Sequence, residues 1–240
     1  GMVFEKFSSR ENDIVTGIIQ RMENKNVYID LGKAEAILTP NEQIPGEIYQ
    51  YHDRMKTYIV EVKKTSKGPQ IMVSRTHPGL LKRLFELEVP EIHDGLVEIK
   101  SVAREPGMRS KISVYTKDEN IDPVGACVGH KGMRVQTIVN ELRGEKIDIV
   151  KYSSEPDQYV ANALSPAKVV STEVLEEEKI CRVIVPDYQL SLAIGKEGQN
   201  ARLAAKLTGW KIDIKSESQA AEEAEQGAQE VGVAYEADED

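Results

Sequence analysis

Val128-Gly129-His130-Lys131-Gly132-Met133-Arg134-Val135-Gln136-Thr137-Ile138 recurs later in the chain as Ile194-Gly195-Lys196-Glu197-Gly198-Gln199-Asn200-Ala201-Arg202-Leu203-Ala204. Each copy sets an apolar residue before Gly-x-x-Gly and continues into a run with helical spacing. Each closes on a strand-like stretch, Gly144-Glu145-Lys146-Ile147-Asp148-Ile149 or Gly209-Trp210-Lys211-Ile212-Asp213-Ile214. Self-similarity of this kind marks one supersecondary unit used twice. The 240 residues are therefore expected to form small modules of about 60–80 residues rather than one large core.

Working outward, Leu80, Leu81, Leu84, Phe85 and Leu87 follow Thr76-His77-Pro78-Gly79 at helical spacing as far as Pro90. Two strand-like runs, Leu96 to Ala103 and Lys111 to Tyr115, flank the turn Arg104-Glu105-Pro106-Gly107. After the first Gly-x-x-Gly, Val135, Ile138, Val139 and Leu142 line one helical face. The order is α-β-β-α-α-β. It repeats after the linker Ser153-Ser154-Glu155-Pro156, with helices over Gln158–Leu164, Tyr188–Ile194 and Gln199–Leu207 and strands over Val169–Val174, Ile180–Val185 and Lys211–Ile214. Ala201, Ala204 and Ala205 replace the first copy's Val135, Ile138 and Val139. Small residues let a helix approach its neighbours closely, which suggests packing between the repeats.

Between Asp13 and Ser74, five short alternating runs (Ile14–Ile19, Val27–Leu31, Ala36–Leu38, Met55–Val62 and Ile71–Val73) are separated by Glu23-Asn24-Lys25-Asn26, Gly32-Lys33, Pro45-Gly46 and Lys67-Gly68-Pro69. That spacing predicts a small closed five-stranded barrel. Gly1-Met2 reads as an expression scar, and residues 1–12 as a linker remnant with too little apolar content to fold alone. The fold class is multidomain: an all-β five-stranded OB barrel over residues 13–77, two α/β modules over 78–152 and 153–215, and a disordered acidic tail over 216–240.

Net charge is −9, yet the stretch from Ser216 onward holds nine acidic residues and no basic one. Without it, 31 acidic residues face 31 basic ones, so whole-chain charge does not exclude nucleic acid. No apolar run reaches the ~20 residues of a membrane span and no secretory leader is present, which predicts a soluble cytoplasmic protein with no membrane partner. The two cysteines and four histidines lack metal spacing, and no nucleophile-elbow, Walker or zinc-protease motif occurs. Neither an enzyme nor a cofactor is expected.

A glycine-flanked helix start can hold a phosphate oxygen on backbone N–H groups while unstacked bases enter the groove beside it. One Gly-x-x-Gly is equally well a helix break; two copies in the same context argue for a site. The candidates are Gly129, His130, Lys131, Gly132 and Arg134 in the first copy, and Gly195, Lys196, Gly198, Gln199, Asn200 and Arg202 in the second. Lys131 can pair with phosphate and His130 can stack or donate, whereas Glu197 repels phosphate. Arg104 and Lys111, beside the Pro106-Gly107 turn, are candidates for tracking a nucleic-acid backbone. Cys127 and Trp210 read as core.

This arrangement resembles the KH domain, and its helix-first order resembles the type II topology. Glu88-Val89-Pro90-Glu91-Ile92, Ala103-Arg104-Glu105-Pro106-Gly107, Ile121-Asp122-Pro123-Val124-Gly125-Ala126-Cys127-Val128-Gly129 and Ala193 to Ala204 resemble the NusA family of bacterial transcription termination and antitermination factors. The resemblance runs from Ile14 to Ile214. It implies an S1-type OB barrel and two KH domains that bind single-stranded nascent RNA to modulate pausing, termination and antitermination. It also implies contacts with other elongation and antitermination factors, and with RNA polymerase mainly through an N-terminal domain expected to lie outside this chain. Tyr28 stands where S1 barrels offer a stacking aromatic, and Ile37 replaces the second one. The alternatives are an RNA-binding module of an RNA-degrading enzyme, or of ribosome assembly and translation.

Overall fold

The computed structural model of the chain describes residues 2–226 and 233–236. The elements run α1 (Met2–Ser8), β1 (Ile14–Glu23), β2 (Asn26–Asp30), β3 (Glu35–Leu38), β4 (Arg54–Thr65), β5 (Gly68–Ser74), α2 (Pro78–Glu88), α3 (Pro90–His93), β6 (Glu98–Glu105), β7 (Arg109–Tyr115), α4 (Pro123–Val128), α5 (Met133–Glu141) and β8 (Lys146–Lys151). The second repeat follows with α6 (Pro156–Ala163), β9 (Ser171–Leu175), β10 (Ile180–Val185), α7 (Leu190–Ile194), α8 (Gln199–Thr208) and β11 (Lys211–Ser216), and the chain continues with α9 (Glu217–Gln226) and β12 (Val233–Tyr235). Among the described residues no helix is long and apolar enough to cross a membrane. The chain divides into two compact units, and each is described by itself.

The first unit comprises Gly1–Asp94, Pro106–Arg109 and Cys127–Lys146. Strand alternation sets its barrel: Val15, Gly17 and Ile19 of β1 face inward, as do Val27 and Ile29 of β2. The sheet closes in the order β1-β2-β3-β5-β4, with β1 pairing β4 antiparallel and β3 pairing β5 parallel. Closure leaves no free edge. At Gly17 a Cβ would lie 2.4 Å from the Ile29 side chain, so only glycine lets β1 and β2 approach this closely.

The described part of the expected 1–12 linker, residues 2–12, corrects that expectation. Phe7 is 2 % exposed within the barrel core, and Val3 and Phe4 pack against that core. The Asn12 amide donates to the Ile59 carbonyl at 2.8 Å, and the Val62 amide donates to Glu11 Oε1 at 2.9 Å. One short helix cannot build its own core, but its apolar stripe can join an existing one, and burying a phenylalanine contributes about 1.5–3 kcal/mol.

Helix α2 starts at Pro78 with His77 Nδ1 accepting from the Gly79 amide at 2.9 Å, and it buries Leu80, Leu81, Leu84 and Phe85. Pro90, expected only to end this helix, also begins α3, because proline is tolerated in a first turn. Just past the barrel's last strand, Arg75 is a buried hub. Its guanidinium donates to both Glu47 oxygens (3.0 and 2.7 Å), to the Lys56 carbonyl (2.9 Å) and to Glu141 of α5 (3.3 Å to Oε1, 3.0 Å to the carbonyl). Burial works against this charge, but the two carboxylates outweigh it and the Arg75 pKa is raised.

The second unit comprises Gly95–Glu105, Ser110–Ala126 and Ile147–Asp240. It contains the three-stranded sheet β6-β7-β8 and the sheet β12-β11-β10-β9, in which β10 runs antiparallel to β9 and parallel to β11. Ala201, Ala204 and Ala205 of α8 are fully buried in a core that also holds Ala103 of β6, and α8 packs on β6. The small residues therefore serve packing between the repeats. Tyr159 ties this core together, its hydroxyl bonding Ser113 Oγ at 2.8 Å and the Leu207 carbonyl at 3.2 Å.

The expected disordered tail is also corrected within the described residues. Ser216 and Gln219 form a capping box: the Gln219 amide donates to Ser216 Oγ (3.2 Å) and the Ser216 amide to Gln219 Oε1 (2.9 Å). Lys215 Nζ, 2.5 Å from Glu223, holds the helix these bonds start, and the Ser218 hydroxyl and amide (the latter at 3.0 Å) both donate to Asp187, lowering that carboxyl's pKa. Strand β12 then pairs antiparallel with β11. Residues 227–232 and 237–240 of the tail lie outside the described residues.

Candidate nucleic-acid interface

Each Gly-x-x-Gly joins two helices through the same backbone path. Gly129 (φ 79°, ψ 175°) and Gly195 (φ 79°, ψ 168°) occupy a region that is essentially glycine-only. Lys131 and Glu197 are left-handed (φ 52° and 56°), as are Gly132 (φ 73°) and Gly198 (φ 77°). The Gly132 amide donates to the Gly129 carbonyl and the Gly198 amide to the Gly195 carbonyl, both at 3.1 Å. The Met133 and Gln199 amides close onto His130 and Lys196. The two copies thus share a tight turn that brings backbone to the surface, and the outermost side chains, His130, Lys131, Lys196 and Glu197, are exposed.

The arginines that follow brace these turns. The Arg134 stem lies against Gly129, where a Cβ would meet Arg134 Cγ at 2.6 Å, and its Nη1 sits 2.7 Å from Glu91 of α3. Arg202 holds Glu105 with Nε (3.1 Å) and Nη2 (2.8 Å) and donates through Nη1 to the Glu197 carbonyl at 3.0 Å. Glu91 and Glu105 are therefore part of the loop supports, and nothing in the sequence pattern links them to arginines so far along the chain.

Three expected contact residues lie inside. Asn200 is buried; its Nδ2 donates at 3.0 Å to the Leu164 and Ala193 carbonyls. Lys111 is fully buried, with Nζ 2.9 Å from Asp148 and donating to the Ser165 carbonyl at 2.7 Å. Arg104 is buried as well. These are corrections: all three residues are buried, with the Lys111 ammonium and the Asn200 amide nitrogen committed to internal partners. Gln199 is half-buried. On the barrel, the Arg21 guanidinium covers the Tyr28 ring at 4.1 Å from its centroid and is held by Glu35 at 2.8 and 3.0 Å. Met133, directly after the first loop, and Leu192 of α7 are exposed apolar residues that the sequence pattern does not single out.

In the second repeat the loop also meets the tail. A Cβ on Gly198 would lie 2.9 Å from the Tyr235 ring, and Lys211 Nζ sits 2.8 Å from Glu236. Cys127 and Cys181 are buried free thiols, and desolvation pushes the Cys181 pKa up to about 11. Among the described residues no group of histidine, cysteine, aspartate and glutamate could hold a metal ion.

Residues 8–74 match the S1 RNA binding domain, residues 75–152 the NusA-like first KH domain and residues 156–222 the NusA-like second KH domain. The chain is 70 % identical over 222 residues to the transcription termination/antitermination protein NusA of Halalkalibacterium halodurans, covering 92 % of this chain and 58 % of that protein. It is equally similar to NusA of Bacillus subtilis, with 60 % of the relative covered. NusA of Mycobacterium tuberculosis is 51 % identical over 224 residues, covering 90 % of this chain and 65 % of the relative. The chain thus spans 58–65 % of the length of these curated relatives. On its three domain matches and this identity, the chain belongs to the NusA family, of which it carries the S1 domain and the first and second KH domains.

Proposed function

We propose that this chain is the single-stranded RNA-binding part of a transcription factor that acts with RNA polymerase on nascent RNA to modulate pausing, termination and antitermination. The observation that carries the reading is the doubled Gly-x-x-Gly turn, whose two copies adopt matching glycine-dependent dihedral angles and expose His130, Lys131 and Lys196. A phosphate approaches the turn because no Cβ at Gly132 obstructs it, and lysine charge adds to the attraction. Exposed Met133 and Leu192 offer apolar faces to unstacked bases. Arg134 and Arg202 act indirectly, through Glu91 and Glu105, by fixing the turns. Polymerase and other elongation factors are partners that the family resemblance implies, and the relatives' name supports the transcription role alone.

Gly132→Asp places a carboxylate where the phosphate lies, and aspartate tolerates the left-handed angle better than most residues. Fluorescence anisotropy with labelled single-stranded RNA should show at least roughly a tenfold loss of affinity, as expected for an unfavourable interaction of about 1.4 kcal/mol or more. Circular dichroism should remain native. Undiminished affinity in Gly132→Asp and in the corresponding Gly198→Asp would refute the loop-centred reading.

A further inference from the structure

Strand β12 lies on the edge of β11, with Ile212 opposite Tyr235, Asp213 opposite Ala234 and Ile214 opposite Val233. From that register the Tyr235 ring reaches Gly198, so the β11 edge and the second Gly-x-x-Gly turn are one tyrosine side chain apart. A nucleotide with its phosphate at the turn would place its base along this same edge. The occupant resembles such a ligand chemically. An extended backbone pairs with the strand, an aromatic ring covers the glycine, and the Glu236 carboxylate takes Lys211 at 2.8 Å as a phosphate oxygen would.

We propose that Val233–Glu236 is a built-in competitor for RNA at the second KH domain. The proposal rests on the RNA-binding reading of that domain. Helix α9 precedes the competitor, and the capping box, Lys215–Glu223 and Ser218–Asp187 anchor that helix to the same unit. Anchoring keeps the segment at high effective concentration beside β11. RNA binds only the fraction of molecules whose edge is vacant, so the measured affinity falls by that fraction.

The test compares the full chain with a variant ending at residue 232, and with Tyr235→Ala, by anisotropy with a fluorescein-labelled single-stranded RNA of about a dozen nucleotides. If about four fifths of molecules hold the segment in place, both variants bind roughly fivefold more tightly. Hydrogen exchange of the RNA-free protein should show faster exchange in β11 once the segment is removed. Unchanged affinity together with unchanged exchange would overturn the proposal. Glu222→Gln with Glu225→Gln reduces tail charge on α9 without altering β12 and should move affinity less than Tyr235→Ala; an equal effect would overturn the strand model in favour of charge alone. Gly198→Asp, made in the chain ending at residue 232, separates the two levels. If it weakens RNA binding while truncation alone changes nothing, only the competitor fails. If it has no effect on RNA binding, the reading of the second groove fails with it.

Discussion

Replacing Gly195 by alanine should be far more damaging than replacing Gly198, although both belong to one four-residue turn. At Gly195 (φ 79°, ψ 168°) an L-residue costs about 1–3 kcal/mol in backbone conformation alone. The new Cβ would also lie 2.7 Å from the Asn200 amide nitrogen and 2.9 Å from Asn200 Cβ. Neither atom can swing aside, because Asn200 is fixed by its bonds to the Leu164 and Ala193 carbonyls. Overpacking of this kind adds about 1–3 kcal/mol, giving a total of about 2–6 kcal/mol. Gly198 is left-handed, a conformation that costs alanine about 1–2 kcal/mol. Its nearest neighbour is the Tyr235 ring, at 2.9 Å, which can move away. A multidomain chain does not yield one unfolding free energy, so the assay is site-resolved hydrogen exchange over α8, which reads the local opening free energy. Equal opening free energies in the two variants, or a Gly195→Ala variant within about 1 kcal/mol of the parent, would refute the strain argument.

Arg75→Met should lower the opening free energy of the first unit by about 3–5 kcal/mol in hydrogen exchange over the barrel strands, because Glu47, whose side chain is 2 % exposed, is left uncompensated. Adding Glu47→Gln should recover part of that loss, and an undamaged single variant would show that the hub is dispensable. Lys111→Met should lower stability by about 3 kcal/mol through Asp148, while the protein that remains folded binds single-stranded RNA as before. A selective loss of RNA affinity with native stability would restore Lys111 to the surface. The Cys181 pKa, raised to about 11 by burial, keeps the native thiol protonated, so iodoacetamide at pH 8 should modify it only after unfolding. By linkage, the unfolded chain loses this proton first as pH rises. The thiol's contribution to stability is therefore complete below pH ~9 and is lost as pH rises towards 11, which urea titrations of the parent and of Cys181→Ala would detect.

The barrel and the repeats are legible because their signals are local. Alternation in Ile14 to Ile19 and the glycine spacing at 129–132 and 195–198 depend on neighbours in sequence. The misplaced residues depend on partners far along the chain. Lys111 reads as a surface charge until Asp148 is seen beside it, and Asn200 as a loop-side amide until the Leu164 carbonyl is found. Arg134 and Arg202 belong to the turns their spacing suggests, and they brace those turns through Glu91 and Glu105. Other departures have readable signals. Ser216-x-x-Gln219 is a capping box, masked in the sequence by the acidity of residues 217–225, and Phe4 with Phe7 forms an apolar stripe that only the barrel makes useful.

The alanine face of α8 has a consequence for the history of the duplication. Ala201, Ala204 and Ala205 share a core with Ala103 from the other copy, whereas the equivalent positions of the first copy are Val135, Ile138 and Val139. Exchanging the two helical segments would force branched side chains into a site fully closed to solvent, at about 1–3 kcal/mol for each misfit. The copies are consequently homologous in plan but no longer interchangeable. A gene fragment encoding the second alone would expose an alanine face shaped for its sibling, so recombination can transfer the pair only as one inherited block.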